Sequence, residues 1–598
     1  MGEQAKCQNL HILCRAEFET EADLENVILK ISADDHYKVS LDGEFLMEGP
    51  FPSYVWKYYY DKIEGLNVAK GKHVLAVHLY YYGTVNRVCN SVDFRCALAV
   101  ELTTKQGESI PLAFQAQICQ AYSGGILGYQ TAFLENFDNR LYPRGWDCIS
   151  YHAGESTGWE TMQPAKWADY ELYEMPVEQL VHKKVIPAVC EKRADGSIFI
   201  DAGKEIVGFV CVKATGTNGS QVHIYCGEEL QDGDVRFDMR CGCRYEEVLT
   251  LDEGECQFDP YDYEAFRYVK LIADPQVDIT EICLMERHYP MDENDCRLQT
   301  SPQTLQQVFD ICRHAVEIGT QEGYLDCPSR EKGQYLGDSV ITARSQVWLT
   351  LYYVKDKWNM VDWPENLRDD YEFPLTRPIG PGCHNVVNVL YIGAWKVTEE
   401  IREILKMENK QYSAVLEQAY RTVFLCPNGL FADMENGTHC GLHANVYALY
   451  YGVAKNNEKD AIIKLIEKKG FSCGVMYSYF VLRALECVGA YEQVYRMLVN
   501  EGEHGWVNMI REGASSCFEV WGKDQKWNTS LCHPWASAPI SVIVEVIAGI
   551  CLKPQNEKGF EFHPHVPDEL SEFSIRVPFR GKQLTVCKKD GKVVLTQE

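Results

Sequence analysis

Residues 301–316, with the sequence SPQTLQQVFDICRHAV, mark the place where the chain changes from a strand pattern to a helix pattern. Ser301 is a residue type that caps helices, and proline at 302 suits a first helical turn because it has no amide hydrogen to leave unpaired. Apolar residues then recur three and four positions apart, so that one face of a helix is apolar. They are Leu305, Val308, Phe309, Cys312, Ala315 and Val316. The stretch predicts that a helical domain begins close to residue 298.

The helical pattern continues to about residue 550, and its loops are rich in Gly, Pro and aromatic residues. Paired helices with long loops favour an α/α toroid of helical hairpins. A superhelical repeat array is the competing interpretation, but the sequence shows no fixed period. Helices are predicted near residues 338–354, 385–402, 411–424, 441–455, 458–468, 474–488, 491–500 and 534–550.

The remaining sequence alternates apolar and polar residues, which is typical of β-strands. Residues 37–41 alternate in this way and are followed by Asp42-Gly43, a hairpin-turn dipeptide. We expect four domains. They are an N-terminal jelly-roll-like β-sandwich at 1–165, a second β-sandwich at 180–290, the helical domain at 296–550 and a C-terminal β-sandwich at 551–598.

The composition argues against several kinds of partner. The net charge is −28, from 58 Lys and Arg against 86 Asp and Glu. So acidic a chain repels phosphate backbones and anionic lipid, and we expect neither nucleic acid nor a membrane as its main partner. The N-terminus lacks the pattern of a secretory signal, and no apolar run reaches the length of a membrane span. The 25 cysteines include no CxxC and no zinc-ligand spacing. This favours free thiols, a cytoplasmic location, and no metal or other cofactor.

The densest polar cluster is the segment 326–338, DCPSREKGQYLGD, which lies between two predicted helices. Catalytic groups are often displayed on loops of a rigid scaffold. Glycoside hydrolysis needs one protonated carboxyl to assist the leaving oxygen and one ionised carboxylate on the other face of the sugar. On the residues alone, a salt-bridged loop that ties two helices together is an equally good interpretation.

Two further segments carry candidate groups. Glu519 lies between aromatic residues in 512–521, EGASSCFEVW, which is too rich in small residues for a plain amphipathic helix. Trp363 can stack on a sugar ring while Asp362 accepts hydrogen bonds from hydroxyls, although the commoner fate of a Trp is the core. His533 alone is more often a structural hydrogen-bonding residue than a catalyst. The sequence contains no GxSxG elbow, P-loop, GxGxxG or HExxH motif.

These segments resemble the α-L-rhamnosidases of glycoside hydrolase family 78. The run Asp326-Cys327-Pro328-x-Arg330-Glu331-Lys332-Gly333-Gln334-x-x-Gly337-Asp338 resembles the acidic loop of the family, in the branch that has Arg-Glu-Lys-Gly-Gln. The run Ala514-Ser515-Ser516-x-x-Glu519-x-Trp521 resembles its second catalytic segment. Further segments that fit the family are Val361-Asp362-Trp363-Pro364, His533-x-Trp535-x-Ser537, Glu135-Asn136-Phe137-Asp138-x-Arg140 and Gly145-Trp146.

The resemblance implies an (α/α)6 barrel catalytic domain flanked by β-sandwich domains, and an inverting glycosidase that removes terminal α-L-rhamnose. It implies Glu331 as the general acid and Glu519 as the general base, with the carboxyl groups about 6.5–9.5 Å apart to admit water. Tyr335 stands where many members have Trp, which leaves the fine sugar specificity open. The substrate ligands that it implies are Asp326, Arg330, Tyr335, Asp338, Asp362, Trp363, Trp521, His533 and Trp535.

Three alternatives stay open. The first is an inverting glycosidase of another α-linked sugar, with the same acid and base. The second is a non-catalytic carbohydrate-binding protein, which the presence of both Glu331 and Glu519 disfavours. The third is a phosphorylase, for whose phosphate pocket Arg330 and Lys332 are thin evidence. A cytoplasmic location favours small imported rhamnose-containing glycosides or oligosaccharides as substrates over polymers.

Overall fold

The structure is a computed structural model, and the part described is residues 7–52, 58–84, 96–128, 132–153, 158–163, 171–292, 294–349, 383–408, 411–553 and 556–598. The candidate ligands Asp362 and Trp363 lie outside these residues. The chain forms two compact units. The first unit comprises residues up to Pro290 together with Ile318–Gln334, and the second comprises Met291–Glu317 and Tyr335–Glu598.

The first unit begins with a β-sandwich, as predicted. Apolar residues from both of its sheets, among them Cys14, Val77, Val27 and Leu29, form one buried cluster. One sheet contains, in order, Glu160–Thr161, Phe114–Ile118, Leu10–Thr20, Gly71–Tyr81, His36–Leu41 and Glu44–Gly49. The other contains Leu172–Glu174, Tyr58–Val68, Leu24–Ala33 and Leu98–Thr103.

The hairpin predicted at Asp42-Gly43 is confirmed. Leu41 pairs with Glu44, and both intervening residues have positive φ, 53° at Asp42 and 87° at Gly43. A two-residue turn of this kind matches the twist of the strands that it joins, and it needs residues that tolerate the left-handed region.

A ten-stranded sheet forms the second β-region of this unit, around an apolar cluster that includes Val210, Val222 and Phe266. Its main path contains Val181–Val185, Asp278–His288, Ile198–Thr215, Glu264–Ala273, Gln221–Gly227, Glu246–Thr250, Asn136–Asp138 and Tyr122–Ser123. Val189–Lys192 and Glu255–Phe258 also pair with the long strand Ile198–Thr215. Small hairpins join Ile126–Gly128 to Ala132–Phe133, and Leu230–Gln231 to Asp234–Val235.

The strands do not follow the predicted domain boundaries at every point. Tyr122–Ser123 and Asn136–Asp138 lie within the predicted first domain but belong to the second sheet, where Asn136–Asp138 pairs in parallel with Glu246–Thr250. Residues 318–334 belong to the first unit, although their position between helices placed them in the helical domain. Pairing between distant segments leaves no local pattern, so neither departure can be read from the sequence.

The second unit is mainly helical. Its helix starting at Gln303 confirms the helical onset that residues 301–316 predict. Most of the predicted helices agree with the structure except at their ends, and the end of the one predicted at 338–354 lies outside the described residues. The helix predicted at 534–550 is instead divided into a 3-10 turn, a short α-helix and a π-helical turn, and a strand begins at Ile550. Trp506–Arg511 was not predicted because six residues are too few to show a period. The helices are Gln303–Gly319, Leu336–Leu349, Asn385–Ile404, Tyr412–Phe424, Leu442–Tyr450, Asn456–Lys469, Ser478–Cys487, Tyr491–Leu498, Trp506–Arg511 and Ala538–Val542, with a π-helical turn at Ile543–Ile547.

The contacts divide eight of the described helices into two layers. Helices Asn385–Ile404, Leu442–Tyr450, Ser478–Cys487, Ala538–Val542 and Leu336–Leu349 contact one another in that order. Three other helices each contact the member that precedes them in the chain: Tyr412–Phe424, Asn456–Lys469 and Tyr491–Leu498. This is the arrangement of helical hairpins with inner and outer helices that the toroid requires.

Burial follows the same division. The inner helix Leu442–Tyr450 is buried at every position from Leu442 to Leu449, so it is apolar around most of its surface. The outer helix Asn456–Lys469 buries only Glu458, Ile462 and Ile466, which lie four residues apart and therefore on one face of the helix.

The end of the chain forms a four-stranded antiparallel sheet in the order Arg297–Ser301, Glu572–Phe579, Lys582–Lys589 and Lys592–Gln597. Its first strand comes from the residues just before the first helix, outside the predicted C-terminal domain 551–598. A separate hairpin joins Ile550–Leu552 to Phe560–Phe562. No described helix has both the length and the apolar character needed to cross a membrane.

Candidate functional site

The acidic loop folds back on itself between Asp326 and Gly333. The Asp326 amide donates to the Gly333 carbonyl at 2.8 Å, and the Gly333 amide donates to Asp326 Oδ1 at 2.8 Å. The Lys332 amide donates to the Cys327 carbonyl at 3.0 Å, and the Cys327 thiol donates to Asp326 Oδ2 at 3.2 Å. Asp326 therefore closes the loop with its own carboxylate, a role that the sequence did not predict.

The middle of the loop carries Arg330 and Glu331. Arg330 is buried, whereas Glu331 is only partly buried. The Tyr245 hydroxyl, which belongs to the second β-region, donates to the carbonyl of Ser329 at 2.8 Å. The backbone just before these two residues is therefore fixed by a side chain of the sheet.

The start of the loop is held by a buried arginine. Arg287, on the strand Asp278–His288, pairs with both Glu48 and Glu322 and donates to Gln321 Oε1 at 3.0 Å. Burial by itself raises the pKa of the Glu322 carboxyl, but the charge of Arg287 outweighs it and lowers that pKa to about 2. The same balance holds the pKa of Glu48 well below its usual range. Both carboxylates are thus ionised over the whole physiological range.

Glu519 lies in the second unit, in a loop that pairs with a later segment of the chain. Its amide donates to the Ser530 carbonyl at 3.0 Å, and the Ser530 amide donates to Glu519 Oε2 at 3.0 Å. Lys526 Nζ donates to Glu519 Oε1 at 2.5 Å. The residue is 3% exposed, so this is a buried carboxylate with an ammonium and an amide directed at it. Both interactions stabilise the charged form of the carboxylate.

Three other predicted site residues of the second unit, Trp535, His533 and Asp338, are linked to Glu519 through successive contacts. The Trp535 indole N–H donates to the Glu519 carbonyl at 3.1 Å, and the His533 ring stacks on Trp535 with ring centroids 4.2 Å apart. His533 Nδ1 lies 3.8 Å from Asp338 Oδ1. Asp338 is in the first turn of helix Leu336–Leu349, and this helix begins at the residue after Tyr335. The structure thus connects Asp338, His533, Trp535 and Glu519 in one chain of contacts.

Trp521 has a different place. It is 2% exposed, and its indole N–H donates to the Cys473 carbonyl at 2.7 Å. Its ring stacks on Phe471 and meets Trp506 edge to face, both with centroids 5.1 Å apart. These contacts give Trp521 a packing role, and its predicted contact with substrate stays a prediction.

Lys526 and Ser530 are site residues that the sequence did not identify. Lys526 lies in a polar run, KDQKWN at 523–528, which reads as an ordinary surface turn. The pairing of Glu519 with Ser530 closes the turn that carries Lys526, and the Lys526 ammonium contacts the carboxylate from within this turn. The general-acid and general-base assignments and the sugar ligands among Asp326, Arg330 and Tyr335 also stay predictions.

Two stretches of the chain match family models. Residues 191–283 match the bacterial α-L-rhamnosidase concanavalin-like domain, and residues 348–547 match the bacterial α-L-rhamnosidase 6 hairpin glycosidase domain. The first stretch lies in the ten-stranded sheet region, and the second contains Glu519 and most of the helical hairpins.

Two similar proteins are α-L-rhamnosidases. One, from Formosa agariphila, is 20% identical in an alignment 707 positions long, gaps included, that covers 94% of this chain and 72% of that protein. The other, from Alteromonas sp., is 20% identical over 343 residues, which cover 53% of this chain and 36% of that protein. The chain thus spans about a third of the length of the Alteromonas relative.

The fold is similar to those of solved rhamnosidases. The family 78 rhamnosidase of Bacillus sp. GL1 superposes with a TM-score of 0.85 at 14% identity, over 100% of this chain and 96% of that one. The α-L-rhamnosidase of Streptomyces avermitilis, solved with L-rhamnose, gives a TM-score of 0.79 at 15% identity, over 99% of this chain and 66% of that one.

Helical hairpins in inner and outer layers, in a chain that also carries β-sandwich domains, define the class of six-hairpin glycosidases. Within that class, residues 191–283 and 348–547 match models of bacterial α-L-rhamnosidase domains, which agrees with the predicted family. The predicted fold class is confirmed.

Proposed function

We propose that the protein is an inverting α-L-rhamnosidase that releases terminal non-reducing α-L-rhamnose from glycosides or oligosaccharides. In this proposal Glu331 protonates the leaving oxygen, and Glu519 takes a proton from the water that attacks the anomeric carbon. The observation that carries the proposal is the Glu519 carboxylate, buried and held by Lys526 and by the Ser530 amide.

A general base must be ionised and held still. The Lys526 ammonium and the Ser530 amide favour the charged carboxylate, so that it can accept a proton from water. The backbone of Glu519 is fixed on both sides, by its pairing with Ser530 and by the Trp535 indole on its carbonyl. The site therefore keeps the carboxylate in one orientation.

Recognition of the sugar needs donors and acceptors for its hydroxyls. Asp338 and His533 supply an acceptor and a ring nitrogen 3.8 Å apart, and the stacking of His533 on Trp535 fixes the plane of the imidazole. We include Asp326, Arg330 and Tyr335 in the proposed sugar site by their match to the family motif. Asp326 also closes the acidic loop, so its substitution is expected to impair folding of the loop as well as binding.

The test is the release of rhamnose from an aryl α-L-rhamnoside by the wild type, Glu331→Gln and Glu519→Gln. Glutamine keeps the size of the side chain and removes its acid–base function, so each variant is expected to lose about 10²–10⁴-fold in kcat while staying folded. Glu501→Gln, at an exposed glutamate of the second unit, is the control and is expected to keep wild-type activity.

Proton NMR during the first turnovers distinguishes the mechanism. Inversion predicts that β-L-rhamnose appears before mutarotation produces the α-anomer. Initial release of the α-anomer refutes the inverting mechanism. Activity on a different aryl glycoside, with none on the rhamnoside, refutes the rhamnosidase proposal and supports the alternative of a glycosidase that acts on another sugar. A folded wild type that binds rhamnose but turns over no aryl glycoside supports the carbohydrate-binding alternative.

We also propose that the enzyme works in the cytoplasm on small imported glycosides. The cysteines that the structure describes are all free thiols, and many of them are buried, which suits a reducing compartment. The test is fractionation of the producing cells. Activity in the medium or in an oxidising compartment contradicts the proposal.

A further inference from the structure

Lys332 directly follows the proposed general acid, yet its side chain is buried in the first unit. The side chain is 2% exposed, and its ammonium lies 3.1 Å from Asp262 Oδ1. It also donates to the Tyr263 carbonyl at 2.7 Å and lies 3.9 Å from the centre of the Tyr263 ring. A buried ammonium is costly unless it is paired and hydrogen-bonded, and Lys332 has an ion pair, a carbonyl and an aromatic face.

The segment that receives Lys332 is itself fixed. The amides of Tyr261 and Asp262 donate to the two carboxylate oxygens of Glu135, at 2.5 and 2.6 Å. The Tyr82 hydroxyl donates to Asp262 Oδ2 at 3.2 Å. Lys332 is therefore bound to a rigid part of the first unit, and its position restricts that of the loop.

The backbone at Lys332 adds to this restraint. Its φ of 51° lies in the left-handed region, and its amide donates to the Cys327 carbonyl at 3.0 Å. Glu331 and Lys332 are covalent neighbours, so the conformation that buries the Lys332 ammonium also sets the direction in which the Glu331 side chain leaves the loop.

The loop has room to move if this attachment is lost. A cavity of about 80 Å³ adjoins Lys332 and is also lined by Leu325 and Gln334 of the loop and by Tyr82 and Arg287 of the β-regions. Without the ion pair, the cavity gives Lys332 and its neighbours space into which to shift, and a shift of about 1 Å in a reacting group can cost about 10²-fold in rate.

We propose that Lys332 is the positioning residue for Glu331: its buried contacts with Asp262 and Tyr263 hold the acidic loop so that the Glu331 carboxyl is placed to protonate the leaving oxygen. The inference rests on the proposed function. It also removes Lys332 from the phosphate pocket that a phosphorylase would need, because the ammonium is occupied within the protein.

The experiment compares the wild type, Lys332→Met and Asp262→Asn on two aryl rhamnosides, one with a good and one with a poor leaving group. A good leaving group needs little protonation, so misplacing the general acid slows mainly the poor one. We expect Lys332→Met to lower kcat by about 10²-fold for the poor leaving group and by less than about tenfold for the good one. KM is expected to change little, since binding is not the step affected.

Lys270→Met is the matched control. Lys270 is also a largely buried lysine of the first unit with a carboxylate partner, Asp234, but that partner lies on a separate hairpin. Its loss is expected to leave the leaving-group dependence unchanged. The double variant Lys332→Met/Asp262→Asn is expected to be no slower than the worse single variant, because both changes break one interaction.

Hydrogen exchange provides a readout that does not depend on turnover. The amides of Asp326, Lys332 and Gly333 are expected to exchange at least about tenfold faster in Lys332→Met, while those of strand Glu264–Ala273 keep the wild-type rate. Unchanged exchange, or equal losses of kcat on both substrates, overturns the inference. If the wild type hydrolyses no rhamnoside, the proposed function fails, and the exchange rates alone decide whether Lys332 holds the loop.

Discussion

Glu545 offers the sharpest test of what holds the helical unit together. It is 2% exposed and receives four hydrogen bonds from the side chains around it. Oε1 accepts from Arg344 Nε and from the Trp348 indole, both at 2.7 Å. Oε2 accepts from Arg344 Nη2 at 2.6 Å and from Arg483 Nη1 at 2.9 Å. One carboxylate thus joins helix Leu336–Leu349 to helix Ser478–Cys487 and to the π-helical turn.

The perturbation is Glu545→Gln, which keeps the shape and removes the charge. Removing one member of a buried ion pair costs about 3–5 kcal/mol, because it leaves the other charge uncompensated. Arg483 is 16% exposed, but Arg344 is 39% exposed, so water compensates part of its charge. We therefore expect a loss at the low end, about 3 kcal/mol.

The loss should depend on pH. Burial raises the pKa of Glu545, but Arg344 and Arg483 outweigh it and lower that pKa below the ordinary value. A carboxyl with a lowered pKa in the folded state contributes stability above its unfolded pKa, about 4.3, and loses it as the pH falls through the folded value. The difference between wild type and Glu545→Gln should therefore be full at pH 7 and shrink below about pH 4.

The assay is urea unfolding monitored by pulsed hydrogen exchange on peptides from Leu336–Leu349 and Ser478–Cys487. These peptides report the unfolding of the helical unit separately from that of the β-regions. Glu492→Gln is the control, since Glu492 pairs with Arg496 on the surface and its loss should not be measurable. A loss below about 1 kcal/mol, or one that does not change between pH 7 and pH 3, would refute the reasoning, because the desolvation of Glu545 would then offset its pairing.

Three further predictions concern the two units separately. Lys526→Met should lower kcat/KM at neutral pH by about tenfold or more and move the acid limb of the pH profile upward, because the buried Glu519 loses its cation; an unmoved acid limb would contradict this. Trp521→Phe should destabilise the helical unit by about 2 kcal/mol through the lost hydrogen bond and packing while KM stays unchanged, and a raised KM would instead support the predicted contact with sugar. Arg287→Met should destabilise the first unit by about 3–5 kcal/mol at pH 7. The loss of stability should shrink between about pH 4 and pH 2, because in the wild type Glu322 has a lowered pKa of about 2 and its contribution disappears as the carboxylate is protonated over that range. Calorimetry measures the loss at each pH, and a loss that does not change with pH would exclude this pairing as its source.

The elements of the fold were predictable where the signal is local. The Asp42-Gly43 turn needs two left-handed residues, and that requirement is met by the two residues themselves. The helices near 441–455 and 458–468 were predicted because their apolar residues recur at the helical period, and the structure places helices at Leu442–Tyr450 and Asn456–Lys469. Each of these features depends on residues within a few turns of one another.

The contacts that shape the site were not predictable in this way. Lys332 is adjacent to Glu331 in the chain but is bound by Asp262. Glu519 is bound by Lys526, in a segment that pairs with Glu519 through Ser530. The strand Arg297–Ser301 joins the C-terminal sheet by pairing with Glu572–Phe579, a segment far away in the sequence. A lysine on a polar run has the same sequence pattern whether it faces water or a buried carboxylate.

The sequence by itself determined where strand patterns give way to helices, the resemblance to the α-L-rhamnosidases, and the two carboxylates proposed as acid and base, because period, turn chemistry and short motifs are properties of neighbouring residues. Only the tertiary structure decided that residues 318–334 belong to the first unit, that Lys526 is the cation that pairs with Glu519, and that Trp521 packs in the core. Burial and charge compensation depend on residues brought together from distant parts of the chain, and the free energy of a buried charge is set by those partners.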